Sequence, residues 1–473
     1  MASNRRRVVL HFDLNRTILM SDAAGGRTME DTVNYLLSEC TWGYINPKCP
    51  SEWICVSTAA SIDPPKITSR VPHLVTYKQF VDDAYPYETV RTATTCTLDQ
   101  IKTTNKVIKS QRTALQSAFI GGKDTPGYPV QHSFTEVMQH LYFPHEKQQN
   151  LAKQLAANMP LSSLQQAWSE GRFYLLPSFL HFLSYLNSPH VTKLEIDVKL
   201  VFRTFGKDLK DVAQELELLI AGQHPMMCPA LPDRFRLDVT RLSHSIGAFY
   251  RHSFDANGTT LAVGTLTKQP FLSKDSNTTL VFDTDINDNV KIVRGFQSIQ
   301  ETLEKMMQES NVLALRDDYE WWSTHAEDAQ YGKLLLVNEK EPRDIVVFFD
   351  DHIEAHDAHI VDVRDLESGE PVDFVKSRGK YLQRVEPLAA ILDPNYFITL
   401  FEKHNLRMDS RSAKRKRTDT SRVITSERTL EDVELELLHA LEEEIKKEEK
   451  TKNSNKIQSF PLEDENYDES DDE

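Results

Sequence analysis

Cysteine is scarce and irregular in this chain. Among 473 residues there are five, Cys40, Cys49, Cys55, Cys96 and Cys228, and no two form a CxxC pair. An odd, scattered set argues against a disulfide framework and fits free thiols in a reducing compartment. Cys40, Cys49 and Cys55 are close enough in sequence to raise the question of zinc, but their spacing matches no standard ligand pattern. Long apolar runs are missing as well. No run approaches the roughly 18 residues of a membrane-spanning helix, so no membrane partner is expected. Arg5, Arg6 and Arg7 imitate the start of a secretory signal, yet His11 and Asp13 cut the apolar run that follows. The expectation is a soluble, intracellular protein. Positive charge is in deficit: 55 Lys and Arg against 71 Asp and Glu leave a formal net charge of −16. That argues against direct nucleic-acid binding as the main task. There is no internal repeat. The glycine-rich stretch Gly121-Gly-Lys-Asp-Thr-Pro-Gly127 lacks the order of a phosphate loop and reads as a turn.

What is present is ordinary globular composition, 40% hydrophobic and 27% charged, and length for two or three domains of about 150 residues. Short apolar runs recur with the character of strands buried on both faces. Val8 to Phe12 ends in Asp13, with Asn15 and Thr17 just beyond. Val198 to Phe202 ends in Arg203 and Thr204. Val312 to Leu315 ends in Arg316, Asp317 and Asp318. Ile345 to Phe349 ends in Asp350 and Asp351, and His359 to Val363 is a fifth candidate. Helical periodicity lies between them, over Pro177 to Leu186, Asp208 to Ile220 and Gln297 to Met307. Strands alternating with helices predict an α/β fold with a parallel sheet. In such sheets ligands bind beyond the carboxyl ends of the strands, where Asp13, Thr204, Asp350 and Asp351 fall.

Two long segments interrupt the alternation. Residues 22–172 form a large insertion, helical in its second half from Glu146 to Trp168. Residues 221–295 form a smaller, β-rich one, with strand-like runs at Gly247-Ala-Phe-Tyr, Thr259 to Leu266 and Thr279-Leu-Val-Phe separated by turn signals. The core is therefore expected in three pieces, residues 1–21, 173–220 and 296–406. From 407 to 473 the chain is a charged tail. Lys414-Arg-Lys-Arg417 is a compact basic cluster that fits a nuclear import signal, leaving the compartment as cytoplasm or nucleus. Residues 429–450 read as one helix with a narrow apolar stripe from Leu430 to Ile445, a surface for a protein partner or for the core itself. The acidic end has the composition of a disordered segment, and Ser470 lies among its acids as a candidate phosphorylation site.

The ordered set Asp13-Leu-Asn15-Arg-Thr17, Thr204-Phe-Gly206, Gly332-Lys333 and Asp350-Asp351 resembles the haloacid dehalogenase (HAD)-like hydrolase superfamily. Each motif alone is weak, and the resemblance covers about half the chain. It implies a Rossmannoid core with a cap, the insertion 22–172. It implies a Mg²⁺-dependent phosphatase or phosphotransferase in which Asp13 attacks phosphorus. Mg²⁺ would be held by Asp13, Asp350, Asp351 and the main-chain carbonyl of Asn15. Thr204 would hydrogen-bond a phosphoryl oxygen, Gly206 would open a helix whose amides favour an anion, and Lys333 would neutralise the remaining charge. Lys291 and Lys305 are rivals for that role. A second metal cluster at Asp351, His352, Glu354, His356, Asp357 and His359 has no recognisable ligand spacing and reads as a solvated loop.

The sequence departs from the family at Asn15, where its phosphatases carry an aspartate that protonates the leaving group and activates water. An amide does neither, and losing a general acid/base costs about 10²–10⁴ in rate. Three readings stand: a phosphohydrolase or phosphotransferase slowed by Asn15, a catalytically impaired binding or regulatory protein, and another chemistry of the family such as dehalogenation or phosphonate cleavage. The substrate is expected to be phosphorylated, but nothing in residues 22–172 identifies it.

Overall fold

The apolar runs that end at Phe12, Phe202, Leu315 and Phe349 each form a strand, as their length and termini predict. The computed structural model describes residues 6–404 except 21–26, 67–72, 89–97, 227–228, 253–257, 268–270, 273–279, 282–289, 326, 341–343 and 356–357. The basic cluster Lys414 to Arg417, the helix expected over 429–450, Ser470, Cys96, Cys228, His356 and Asp357 lie outside the described residues.

The strands that build and flank the site are β1 (Arg6–Asp13), β2 (Ile196–Thr204), β3 (Ile246–Arg251), β4 (Thr259–Val263), β5 (Lys291–Arg294), β6 (Val312–Arg316), β7 (Lys333–Val337), β8 (Ile345–Asp350), β9 (Val361–Asp365) and β10 (Leu382–Arg384). Eight of them form one sheet in the order β5-β4-β3-β6-β2-β1-β8-β10. The run from β3 to β10 is parallel throughout, and β4 and β5 add antiparallel strands at one edge. The protein is thus α/β with a large mixed, mostly parallel sheet. The strands expected at Gly247-Ala-Phe-Tyr and Thr259 to Leu266 are present as β3 and β4 and, with β5, extend this sheet; of the third expected run only Leu280–Val281 is described, a strand outside it. β7 and β9 pair with each other, in parallel, outside it.

Helices cover the sheet on both sides. Phe12 stacks on Phe349 with centroids 4.7 Å apart and meets Phe179 and Phe397 edge-on. Phe179 belongs to helix Pro177–Leu186, whose proline occupies the first turn as the sequence predicts. On the opposite face helix Phe296–Glu309 contributes Phe296, Ile299, Met306 and Met307 to a core with Val9, Val201, Phe249 and Leu315. Residues 22–172 hold helices, among them Met29–Glu39, Tyr77–Ala84 and Leu98–Ser117, and a three-stranded antiparallel sheet. Residues through Asn405 form one compact unit.

Two expectations shift. The helix after β2 begins at Leu209, with Asp208 as its cap residue, so Gly206 lies in the preceding turn and does not open it. The run at His359 to Val363 divides between a short strand at Ala358–His359 and β9.

Candidate functional site

β1 places its last residue, Asp13, at the carboxyl edge of the sheet between β2 and β8, because Phe12 pairs with Phe349 and Asp13 with Arg203. The turn that follows is tight. The carbonyl of Leu14 accepts from the amides of Thr17, Ile18 and Leu19. Arg16 takes a left-handed φ of 62° to close it, a conformation that costs a non-glycine residue about 1–3 kcal/mol. Its guanidinium is held in compensation: it pairs with Glu39 and with Asp351 at 3.3 Å, and lies 5.0 Å from the Tyr35 ring centroid. Glu39 and Tyr35 belong to helix Met29–Glu39, so the turn is tied to the large insertion.

Asp13, Asp350 and Asp351 are the one group of metal-type ligands among the described residues, with ligand oxygens all within 4.8 Å of one another. Lys333 lies between two of them, donating to Asp13 Oδ1 at 2.5 Å and to Asp350 Oδ2 at 2.9 Å. Its side chain is only 2% exposed. Asp350 Oδ1 accepts from the amide of His352 at 2.8 Å. The Thr17 hydroxyl bonds Asp13 Oδ2 at 3.3 Å and accepts from the amide of Asp351 at 3.1 Å.

The electrostatics follow from burying three acids with too few cations. Desolvation pushes the Asp13 carboxyl up to about 8; Lys333 opposes the rise and Asp350 and Asp351 add to it. Burial raises Asp351 to about 7, against the pull of Arg16. Burial also pulls the Lys333 ammonium down, but Asp13, Asp350 and Asp317 outweigh it and carry it above the ordinary lysine range. The Asp350 carboxylate adds to the rise of both Asp13 and Asp351, and a cation shared among the three would relieve that repulsion. Their hard oxygens suit a divalent cation of the Mg²⁺ type, so the residues present fit one.

The other expected residues are placed as follows. Thr204 is buried at the tip of β2, one position beyond the partner of Asp13, and its Oγ1 accepts from the amide of Gly206 at 2.8 Å. The Gly206 amide is therefore committed to Thr204. Asn15 lies in the turn, its buried Oδ1 without a hydrogen-bond partner, and its carbonyl takes no part in the turn's backbone bonds. Lys333 opens β7. Of its rivals, Lys291 is an exposed residue of edge strand β5, and Lys305 lies on helix Phe296–Glu309. His359 stacks on Phe374, centroids 4.7 Å apart. Cys40 is buried, Cys49 exposed and Cys55 half-buried, and all three are free thiols.

Sequence reasoning passed over a set of buried arginines. Arg203, 1% exposed, is forked onto Asp317 and also reaches the carbonyl of Leu334. Arg251 bonds the carbonyl of Gly332 and the carboxylate of Asp362. The available signal was charge where a strand should be apolar: Arg203 directly precedes Thr204, and Asp317 directly follows β6. A cavity of about 520 Å³ reaches Arg16, Asp351 and His352, and is walled from the insertion by Tyr35, Lys78, Asp82, Lys109 and Arg112. No family model, curated protein or solved structure matches the chain.

Proposed function

We propose that this chain is a Mg²⁺-dependent phosphohydrolase or phosphotransferase with the HAD-like architecture, acting through an aspartyl phosphate on Asp13. The observation that supports it most is that Asp13, Thr204 and Asp350 end three adjacent strands of the main sheet, while Lys333, on a strand outside that sheet, donates to both Asp13 and Asp350. Asp13 Oδ attacks phosphorus, the P–O bond to the leaving group breaks, and an acyl phosphate forms; water then releases phosphate and restores the carboxylate. Thr204, whose oxygen already accepts from Gly206, keeps its hydroxyl proton for a phosphoryl oxygen. Lys333 balances the charge that Asp13 and the phosphoryl group bring together. Asp13, Asp350, Asp351 and the Asn15 carbonyl would hold a divalent cation, which would supply the charge that lets two anions meet. Residues 22–172 act as the cap, and the cavity of about 520 Å³ receives the phosphorylated substrate.

Asn15 sets the rate. Its amide cannot protonate a leaving alkoxide, so good leaving groups are favoured. The same residue supports the second reading, a binding or regulatory protein with an impaired site, because its buried Oδ1 accepts nothing. Mg²⁺-dependent phosphate release over a panel of phosphorylated metabolites decides between them. We expect release by the wild type, its loss in Asp13→Asn, and a rise of about 10²–10⁴ in Asn15→Asp. No release from wild type or Asn15→Asp would favour the binding role.

The tail adds two readings from sequence alone. Lys414 to Arg417 directs nuclear import, and residues 429–450 bind a partner helix. Residues 407–420 fused to a fluorescent protein should concentrate it in nuclei; a diffuse signal would remove the first.

A further inference from the structure

β7, which carries Lys333, has no ladder to the main sheet; its strand partner is β9. Its contacts with the main sheet include apolar ones, Leu334 and Leu336 packing among Val9, Val201, Leu313 and Leu315. Apolar packing is non-directional. A slip of one residue, about 3.3 Å, would turn Lys333 to the opposite face. Directional contacts are therefore needed to set the register of β7 against the strands that carry Asp13 and Asp350.

Two arginines from the main sheet make such contacts. Arg251 on β3 donates to the carbonyl of Gly332 at 3.2 Å and to Asp362 on β9 at 2.7 Å. Arg203 on β2 donates to the carbonyl of Leu334 at 2.9 Å while forked onto Asp317. The carbonyls on either side of Lys333 are thus each held by a guanidinium from a different strand. Both arginines are buried. Burying such charges is costly and is weak evidence of a stabilising role, so their placement calls for another reason.

We propose that Arg203 and Arg251 are positioning residues that set the register of β7 and so hold the Lys333 ammonium between Asp13 and Asp350. The inference rests on the reading of the acidic cluster as a cation site. An ammonium locked there competes with a divalent cation for the same oxygens.

The test is Mn²⁺ binding to the full chain, followed by electron paramagnetic resonance, in wild type, Lys333→Met, Arg203→Lys and Arg251→Lys. Lysine keeps the charge but cannot hold a carbonyl and a carboxylate in one fork. Lys333→Met should tighten Mn²⁺ by about tenfold, and each arginine variant should tighten it by roughly threefold. A merely structural loosening would scatter the acids and weaken binding, the opposite sign. Wild-type or weaker affinity in both arginine variants, beside tightening in Lys333→Met, overturns the proposal. A second arm maps acetylation of Lys333 by mass spectrometry. Protection in wild type and reaction in the arginine variants support the register role; protection in all overturns it. If neither wild type nor Lys333→Met binds Mn²⁺, the cation-site reading fails and the acetylation arm alone judges the positioning. If an arginine variant does not fold, Asp362→Asn frees one end of Arg251 and carries the same two readouts.

Discussion

At the scale of single residues the site is governed by proton affinity. Asp13 and Asp351 are both raised by burial, to about 8 and about 7. An unfolded chain binds protons at these positions only below about pH 4. Between that value and about 8 these two carboxyls hold more protons in the metal-free native state than in the unfolded one, so their contribution to stability falls as the pH rises through this window. A divalent cation bound at the acidic cluster would take the place of those protons. The gain in melting temperature on adding Mg²⁺ should therefore be larger at pH 8 than at pH 5.5, measured by thermal denaturation against an EDTA control. Equal gains would mean that the cation binds elsewhere. Asp13, Asp350 and Asp351 were legible as candidates because charge at the tip of an apolar strand stands out. Their shared crowding was not legible, since it depends on how close three strand ends come.

At the scale of elements, β7 shows how little room the site leaves. Gly332 precedes Lys333 in an ordinary backbone conformation, yet a Cβ there would lie 2.0 Å from the carbonyl oxygen of Ile360. The same carbonyl accepts the Lys333 amide at 2.6 Å. Gly332→Ala should therefore cost about 1–3 kcal/mol in denaturant unfolding and lower phosphate release with it. Gly122→Ala is the control, because a Cβ there meets nothing within 4 Å. Unchanged stability in Gly332→Ala would mean that β7 and β9 separate without penalty. After Lys333, the four residues LLLV of β7 form an apolar run too short for its period to tell strand from buried helix. Only pairing with β9 makes it a strand.

Across the whole molecule, the chain to Asn405 closes its own core. Phe397 and Phe401 pack against Phe182 of helix Pro177–Leu186, and the compact unit ends at Asn405. A chain stopped after Asn405 should keep the melting temperature and any phosphate release of the full protein; a drop of several degrees would assign the tail a role in stability. Phe397→Ala should cost about 3–5 kcal/mol, because Phe397 is buried and meets Phe12, the residue before Asp13. The sheet shows what could be foreseen at this scale. Turn signals marked β3 and β4 but not β5, and all three join the same sheet as β1, a pairing that no local pattern specifies.

The amino-acid sequence by itself marked the runs of β1, β2, β6 and β8 as strands, and showed that carboxylates stand at the ends of β1 and β8. Hydrophobic period and the residues that stop a run are local properties. The tertiary structure alone decided which ends meet. Lys333 lies 320 residues from Asp13 in sequence, and it reaches that carboxylate only because the sheet order sets β1 beside β8 and Arg203 and Arg251 hold the carbonyls around it. An ion pair depends on distances of a few ångströms and on what is excluded from water, and the packed chain alone provides both.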